Sequence, residues 1–426
     1  MTEKTKFLML SSAGDGVAIA YRLGQEGHDV AVDIRDDRQI HCGDGLINKI
    51  HDWNFEVTSN CVVIADCSGF GPLLDLYRHN GVRVNGGSTL ADRLEMDRRF
   101  ANSGATAAGL SVPNSRWFED WDEGLSFAGE NPEPLVFKPG LEMSGVIPSF
   151  VARDQRELVK MINHYQHLIH GHAGFMLQEV KDGTDISTAG WFNGYSFLHP
   201  FTHTLEQKHL MNGNLGPSGG CVGNVVWACS GCPICEELTK TESYLRENDY
   251  GPGQIDINCI VGDDGITFIE FTPRFGYDAT PTEFYALFDE PIGEFFVRLS
   301  AGSTHDIAYR GGFAAGVRLT RSPWPLKDGE SCDGVPVKIS QSMLNNFAFN
   351  ELAIDDEGDF VTSGGEGLIG VVMGYGNTLM DSFDDAYSGV KKIKIPDVQY
   401  RTDLAEEFSR SLRKVHRVLE GVGATT

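Results

Sequence analysis

A multidomain α/β and α+β protein, with a parallel αβα unit at its N-terminus and a β-rich C-terminal part, is predicted by three features of this 426-residue chain. KFLMLSSAGDGVAIAYRLGQEGHDVAVDI reads strand, small-residue turn, helix, strand, and CVVIADC followed by LLDLYRHNGVRVN repeats that order. Beyond Glu179 the helices drop out and short alternating runs follow one another, the pattern of an antiparallel sheet. From about residue 311 to 401 the chain is strand-rich and punctuated by glycine.

The first βαβ unit places strands over 7–10 and 29–34 and a helix over 18–25, so residues 1–87 are expected to form one parallel-sheet domain. Its turn, Ser12-Ala13-Gly14-Asp15-Gly16, lacks the full G-x-G-x-x-G spacing and reads as a plain tight turn rather than a dinucleotide site. STLADRLEMDRRFANSGA, residues 88–105, predicts one helix capped by Ser88. PLVFKPG and GVIPSFV predict two short strands around a glycine turn, followed by a helix, ARDQRELVKMINHYQHLI, and a strand, GFMLQEV. ISTAGWFNG and YSFLHPFT are antiparallel strands, HLMNGNLGPSGGCVGN a long glycine-rich loop, and 236–247 a helix. IDINCIVGDDGITFIEF predicts a hairpin about its GDDG turn, and a charged helix over 404–419 closes the chain.

Composition narrows the function. With 60 acidic and 35 basic residues the net charge is −25, which argues against a sequence-independent grip on polymeric nucleic acid. The chain has no apolar run of membrane-spanning length, and MTEKTKFLML leads into a polar turn, so a cytoplasmic protein without a membrane partner is expected. Nine cysteines, an odd number, read as thiols rather than a disulfide framework.

FIEFTPRFG, residues 268–276, sets a carboxylate inside an apolar strand. Glu270 therefore calls for a partner, either Arg274 or a bound cation. On the other strand of that hairpin Asp256 and Asn258 share one face, and oxygen ligands from paired strands suit Mg²⁺, the alternative being a surface network with Arg274. Lys138 ends the apolar strand PLVFK, aimed at a phosphate or packed as an edge lysine. Glu179 and Val180 at a strand end would offer an adenine edge its contacts, with Asp185 next for a ribose hydroxyl. Asn214, Gly216, Pro217, Ser218, Gly219 and Gly220 make a loop able to cradle an anion, or a flexible connection. Cys229, Cys232 and Cys235 in ACSGCPIC carry zinc or iron–sulfur spacing, with Cys221 or Cys259 as a fourth ligand, or are free thiols.

Taken together these segments resemble the ATP-grasp superfamily, and within it the glycinamide ribonucleotide synthetases (phosphoribosylamine–glycine ligases). FIEFTPRFGYDATPT is similar to that family's VIEFNCRFGDPETQ, NGNLGPSGGCVGN to its GDGDTGPNTGGMGAY loop, and LEMDRRFANSG to its ATP-lysine helix, with Arg98 at the lysine position. TSGGEGLIGVVMGYG, Asp385-Ala386-Tyr387 and Tyr400 to Asp403 match its C-terminal motifs in order. The resemblance implies ATP-grasp domains over 88–310, with a small ATP subdomain over about 108–180, and a C-terminal domain over 311–426. It implies ATP with Mg²⁺ or Mn²⁺, phosphorylation of a carboxylate, and attack of an amine on the acyl phosphate, giving an amide, ADP and phosphate. Mg²⁺ would lie on Glu270 with Asp256 or Asn258, and Lys138, Arg98 and Arg274 would neutralise the phosphates. Departures are local: Thr272 replaces the metal-binding asparagine, GLEMSGVIP replaces the glycine-rich lid, and SSAGDGVAI and ADCSGFGPL replace the motifs around the sugar phosphate. The expected partners are thus small molecules bound by a monomer or homodimer: an enzyme of purine biosynthesis, a relative that joins an amino acid to another amine such as a modified nucleotide, or, given Thr272 and the missing lid lysine, a nucleotide-binding protein without turnover.

Overall fold

The computed structural model describes residues 4–140, 147–168, 174–325 and 333–423. β1 (Lys6–Ser11), α1 (Val17–Gln25), β2 (Asp29–Ile34), β3 (Cys61–Ala65), α2 (Gly71–His79) and β4 (Arg83–Asn85) build a parallel sheet in the order β2-β1-β3-β4. β3 is buried throughout, as is β1 beyond its first residue, which is why both read as unbroken apolar runs rather than alternating ones.

The helix expected over 88–105 is two helices, α3 (Thr89–Met96) and α4 (Arg98–Ala107). Ser88 caps the first as expected, but Asp97 leaves helical geometry (φ −111°, ψ 97°) and its carboxylate accepts the N–H groups of Arg99 and Phe100. Aspartate competes for helix N–H groups more effectively as a cap than it serves as an interior residue, so it breaks the run and starts the second helix.

β5 (Ser115–Phe118) and α5 (Trp121–Glu130) occupy a stretch for which the sequence suggested no element. With β6 (Leu135–Pro139), β7 (Phe150–Val151), α6 (Gln155–Leu168) and β8 (Phe175–Glu179) they form an antiparallel sheet, β5-β8-β6-β7. Phe118, Phe137, Phe175 and Leu158 fill the core on its helix-covered face. Strand alternation puts Lys138, paired with Met176, on the other face.

The central sheet has eight strands in the order β13-β12-β9-β10-β11-β14-β18-β15. They are β9 (Thr184–Asn193), β10 (Phe197–Met211), β11 (Leu215–Cys229), β12 (Pro252–Gly262), β13 (Gly265–Thr272), β14 (Phe313–Thr320), β15 (Phe347–Phe349) and, after the small pair β16 (Leu352–Ile354) and β17 (Phe360–Thr362), β18 (Leu368–Gly376). The helices around it are α7 (Pro233–Glu247), the single turn α8 (Ala279–Thr282), α9 (Ile292–Ser300), α10 (Leu379–Val390) and α11 (Leu404–Gly423). β14, β15 and β18 lie beyond residue 311 yet continue the central sheet, and one core cluster joins Phe7, Phe284, Phe295, Val372 and Phe408.

Two corrections fall in the central sheet. The stretch expected as a long glycine-rich loop is the end of a hairpin, in which β10 and β11 turn through Asn212, Gly213 (φ 70°) and Asn214 (φ 58°). Two of its glycines serve close approach, since a Cβ on Gly219 would lie 2.2 Å from the Trp324 ring and one on Gly223 would lie 2.4 Å from Leu404. The second concerns Glu270, which is exposed although its strand reads as buried. Ile269 on β13 is an extra, unpaired residue between the pairs Asn258–Glu270 and Cys259–Phe268, and this bulge flips the parity of β13 so that Phe268 and Phe271 both enter the core. Regular alternation would bury only one of the two, and burying the second is worth about 1.5–3 kcal/mol, more than the roughly 1 kcal/mol of one ladder hydrogen bond, so the irregular register is the stable one.

Candidate functional site

A cavity of about 720 Å³ opens between the N-terminal layer, the β12–β13 end of the central sheet and the segments around β14 and β15. Asp256, Asn258, Glu270, Thr272 and Arg274 all line it, as do Ser218, Gly219 and Gly220 from β11. An adjoining pocket of about 190 Å³ shares Glu270, Thr272 and Arg274 and adds Lys138, Arg98 and Glu95. Arg98, Lys138, Glu270 and Arg274, far apart in the chain, thus meet where the small and central sheets approach each other.

The two pairings open for Glu270 in the sequence resolve in an unexpected way. Arg274 pairs with Glu95 (Nε to Oε1, 3.5 Å), stacks over Tyr277 at 3.9 Å and donates to the Phe275 carbonyl. Glu270 instead faces Arg98, 3.8 Å away, whose Nε donates to the Pro139 carbonyl. Asp256 accepts a short hydrogen bond from Ser187 on Oδ2, whereas its Oδ1 is buried without a hydrogen-bonding partner. Burial pushes its carboxyl up to about 7 against the pull of the Ser187 bond, with Glu206 adding to the rise. Asn258 donates to Thr272 Oγ1 at 3.0 Å, which leaves its carbonyl oxygen unused by that pair. Oxygen donors alone, two of them carboxylate groups and one with an orphaned buried atom, fit a hard cation such as Mg²⁺ or Mn²⁺.

Lys138 is buried, and burial lowers its ammonium to about 8 from 10.5; Glu270 opposes the shift and Arg98 adds to it. Such a lysine lacks a full counter-charge, the condition in which an arriving phosphate is most strongly attracted.

Other expected residues separate. Glu179 lies on the helix-covered face of β8, opposite Lys138, where its carboxylate binds Asn114 and Lys181 and its N–H donates to the Asn114 carbonyl. With Val180 it lines a different, 620 Å³ pocket. Asp185 pairs with Lys208 at 2.9 Å. Asn214 sits at the hairpin tip and accepts from Arg401, whose buried guanidinium also binds Asp403. Asn214, Gly216 and Pro217 are therefore outside the cavity lining, because a strand, not a loop, carries Ser218 to Gly220 into it. Of the lid segment GLEMSGVIP, residues 141–146 lie outside the described residues.

A polar chain on the far wall went unnoticed in the sequence. Asp15 accepts from Asn350 (3.3 Å), which accepts from Arg318 (3.0 Å), which pairs through Nε (3.0 Å) and a short second bond with Asp278. All four line the cavity, and burial raises the Asp15 carboxyl above its ordinary value. An arginine inside FAAGVRLT was a signal of the same kind as Glu270 in FIEFT. Nearby, Asp66 accepts from Ser11 Oγ (2.5 Å) and Gly16 N (2.6 Å), so an internal carboxylate occupies the N-terminus of α1. A Cβ at Gly16 would lie 2.7 Å from that carboxylate, which accounts for the glycine.

No family model matches the chain. Among curated proteins it is 22% identical to the phosphoribosylamine–glycine ligase of Clostridium acetobutylicum, over 94% of this chain and 99% of that protein, and 25% identical to that of Leifsonia xyli over 78% and 80%. Among solved structures, phosphoribosylamine–glycine ligase from Thermotoga maritima superposes with a TM-score of 0.73 at 20% identity, covering 94% of this chain and all of that one. The biotin carboxylase domain of 2-oxoglutarate carboxylase from Hydrogenobacter thermophilus, solved with MgADP and bicarbonate, gives 0.64 at 14% identity over 94% and 92%. With its parallel N-terminal sheet and its antiparallel sheets, the chain has the fold of phosphoribosylamine–glycine ligase, which it resembles along nearly its whole length.

Proposed function

We propose that the protein is an ADP-forming carboxylate–amine ligase. A carboxylate oxygen attacks the γ-phosphorus of ATP, the bond to the bridging oxygen breaks and ADP leaves. An amine then attacks the acyl carbon, the carbon–oxygen bond to phosphate breaks, and an amide forms with loss of one proton from nitrogen. The observation that carries this reading is the meeting of Lys138, Arg98 and Arg274 with Glu270, Asp256 and Asn258 across two adjoining pockets. Phosphoryl transfer between two anions demands positioned positive charge, and these cations are already held by packing and hydrogen bonds. Glu270, Asp256 and Asn258 would hold Mg²⁺, which when bound supplies further neutralisation of the phosphates. Lys138, with its stem buried, orients the phosphates, and Arg274, fixed by Glu95 and Tyr277, faces the reacting end.

The amine is a separate matter. Asp66 takes the Gly16 N–H at the start of α1 and Asp15 lies in the cavity wall, so carboxyl groups, both raised by burial and that of Asp66 to about 7, stand where a helix N-terminus would otherwise offer an anion its N–H donors. An anion there would meet repulsion, whereas a cationic amine would be attracted. This favours an amine without a phosphate at that end, joined to an amino acid such as glycine. Incubation with MgATP, glycine and a panel of phosphorylated and unphosphorylated amines, following ADP, tests both statements. ADP formation that requires both carboxylate and amine is expected, and ADP that depends on neither overturns the ligase reading. A preference for phosphorylated amines overturns the second statement alone.

A further inference from the structure

Outside the catalytic cavity the chain gathers a second set of reactive side chains, of the opposite chemical character. His203 on β10, Cys229 at the end of β11, and Cys232 and Cys235 at the start of α7 bring their ligand atoms within 4.8 Å of one another. We propose that these four residues bind one tetrahedral Zn²⁺ ion.

The distances suit a single ion. Zinc at about 2.3 Å from sulfur and 2.0–2.1 Å from nitrogen places tetrahedral ligands roughly 3.5–3.8 Å apart. Here Cys232 Sγ lies 3.2 Å from Cys235 Sγ and 3.1 Å from His203 Nε2, and Cys235 Sγ lies 3.8 Å from the same nitrogen. Small rotamer changes open this shell to the ideal spacing. A multi-iron cluster needs cysteines spread around several metal atoms, and this group is drawn too close for that. Soft thiolates with one imidazole select zinc over the hard cations suited to Asp256 and Glu270.

Surrounding contacts favour the loaded form. His203 Nδ1 lies 2.8 Å from the fully buried hydroxyl of Thr188, a partner that fixes the ring and turns Nε2 toward the sulfurs. Cys232 is the N-cap of the 15-residue α7, and its sulfur accepts the Cys235 N–H at 3.4 Å. Three thiolates and Zn²⁺ carry a net charge of −1, which the positive end of a helix stabilises. The two cysteines that the sequence offered as a fourth ligand are elsewhere: Cys259 is in the core beside Phe268, and Cys221 lines the catalytic cavity. His203 escaped notice because it precedes the cysteine motif by 26 residues on a neighbouring strand, and only the β10–β11 pairing closes that distance. The ion would tie α7 to the base of the hairpin that carries Ser218 to Gly220 into the cavity, a structural role independent of the ligase reading.

Elemental analysis of the intact protein, purified without added metal or chelator, should find about one zinc per chain. His203→Gln and Cys232→Ser should each lower that content at least tenfold, while Cys221→Ser retains it. Because the variants could fail to fold, the parent chain supplies a second measure. Protein stripped by chelator and given one equivalent of Co²⁺ should develop the visible and near-ultraviolet bands of tetrahedral cobalt thiolate, and Zn²⁺ should abolish them and raise the melting temperature. Four irons per chain, a Cys232–Cys235 disulfide in metal-free purified protein, or stripped protein whose spectrum and melting temperature ignore Co²⁺ and Zn²⁺ would each overturn the proposal.

Discussion

Lys138→Met should weaken binding of MgATP while making the protein more stable, and both effects follow from one buried charge. The ammonium is 8% exposed, and its fall from 10.5 to about 8 corresponds to about 3 kcal/mol against the charged form. A phosphate oxygen arriving at roughly 4 Å in a surrounding of effective dielectric near 20 attracts that charge by about 4 kcal/mol. Allowing for the phosphate's own desolvation, the lysine contributes on the order of 2–4 kcal/mol, or roughly 30- to 700-fold in Kd. Methionine keeps the packing of the stem and removes the charge, so calorimetric titration with a non-hydrolysable ATP analogue and Mg²⁺ should show a loss in that range. The parent's affinity should also decline between pH 7 and 9.5, as the free protein loses the proton near pH 8. The stability effect has the opposite direction. Since the folded value lies below the unfolded one, the destabilisation is fully present below pH 8 and is relieved as pH rises toward 10.5. Melting temperatures of parent and variant should therefore differ at pH 7 and converge near pH 10. Binding by the variant within threefold of the parent, or a parent Kd that stays flat from pH 7 to 9.5, would refute the assignment of Lys138 to the phosphates.

Glu270→Gln should weaken nucleotide binding at least tenfold in the presence of Mg²⁺ and leave it unchanged or tighter without metal, because Arg98 loses its neighbour at 3.8 Å; equal losses under both conditions, measured by titration, would remove Glu270 from the metal. Asp15→Asn should raise the KM for the amine about tenfold or more in the ADP-release assay with the Kd for ATP analogue unaltered, and a change confined to ATP would contradict a role at the amine. Arg318→Met leaves the buried Asp278 unpaired, a cost of about 3–5 kcal/mol that should appear as a melting temperature several degrees lower. Adding Asp278→Asn to that variant should recover part of the loss, and strict additivity in denaturant titrations would show that the two groups do not act as a pair.

Much of this site can be read from local pattern. Asp256 and Asn258 on β12 and Lys138 at the end of β6 sit within short runs where alternation alone states which face each residue takes. Three misreadings share one cause. Asp97 as a cap, Gly219 of β11 as a close-packing residue and the bulge that exposes Glu270 each depend on what lies opposite: free helix N–H groups, the Trp324 ring, and the core that accepts Phe271. Local propensity describes a segment's own cost, and a few kcal/mol of tertiary burial overrides it.

From the order of residues alone came the βαβ start, the antiparallel centre, the acidic hairpin and the likeness to ATP-grasp ligases, because these rest on periodicity and on motifs contiguous in the chain. Which ionisable groups share a volume was decided only by folding. Arg274 chose Glu95 over Glu270, Asp15 met Arg318 through Asn350, and His203 joined three cysteines, each across 26 residues or more. Charge interactions fall off over a few ångströms, a scale unrelated to separation along a chain, so the pairs that set this protein's chemistry exist only once its sheets have closed on one another.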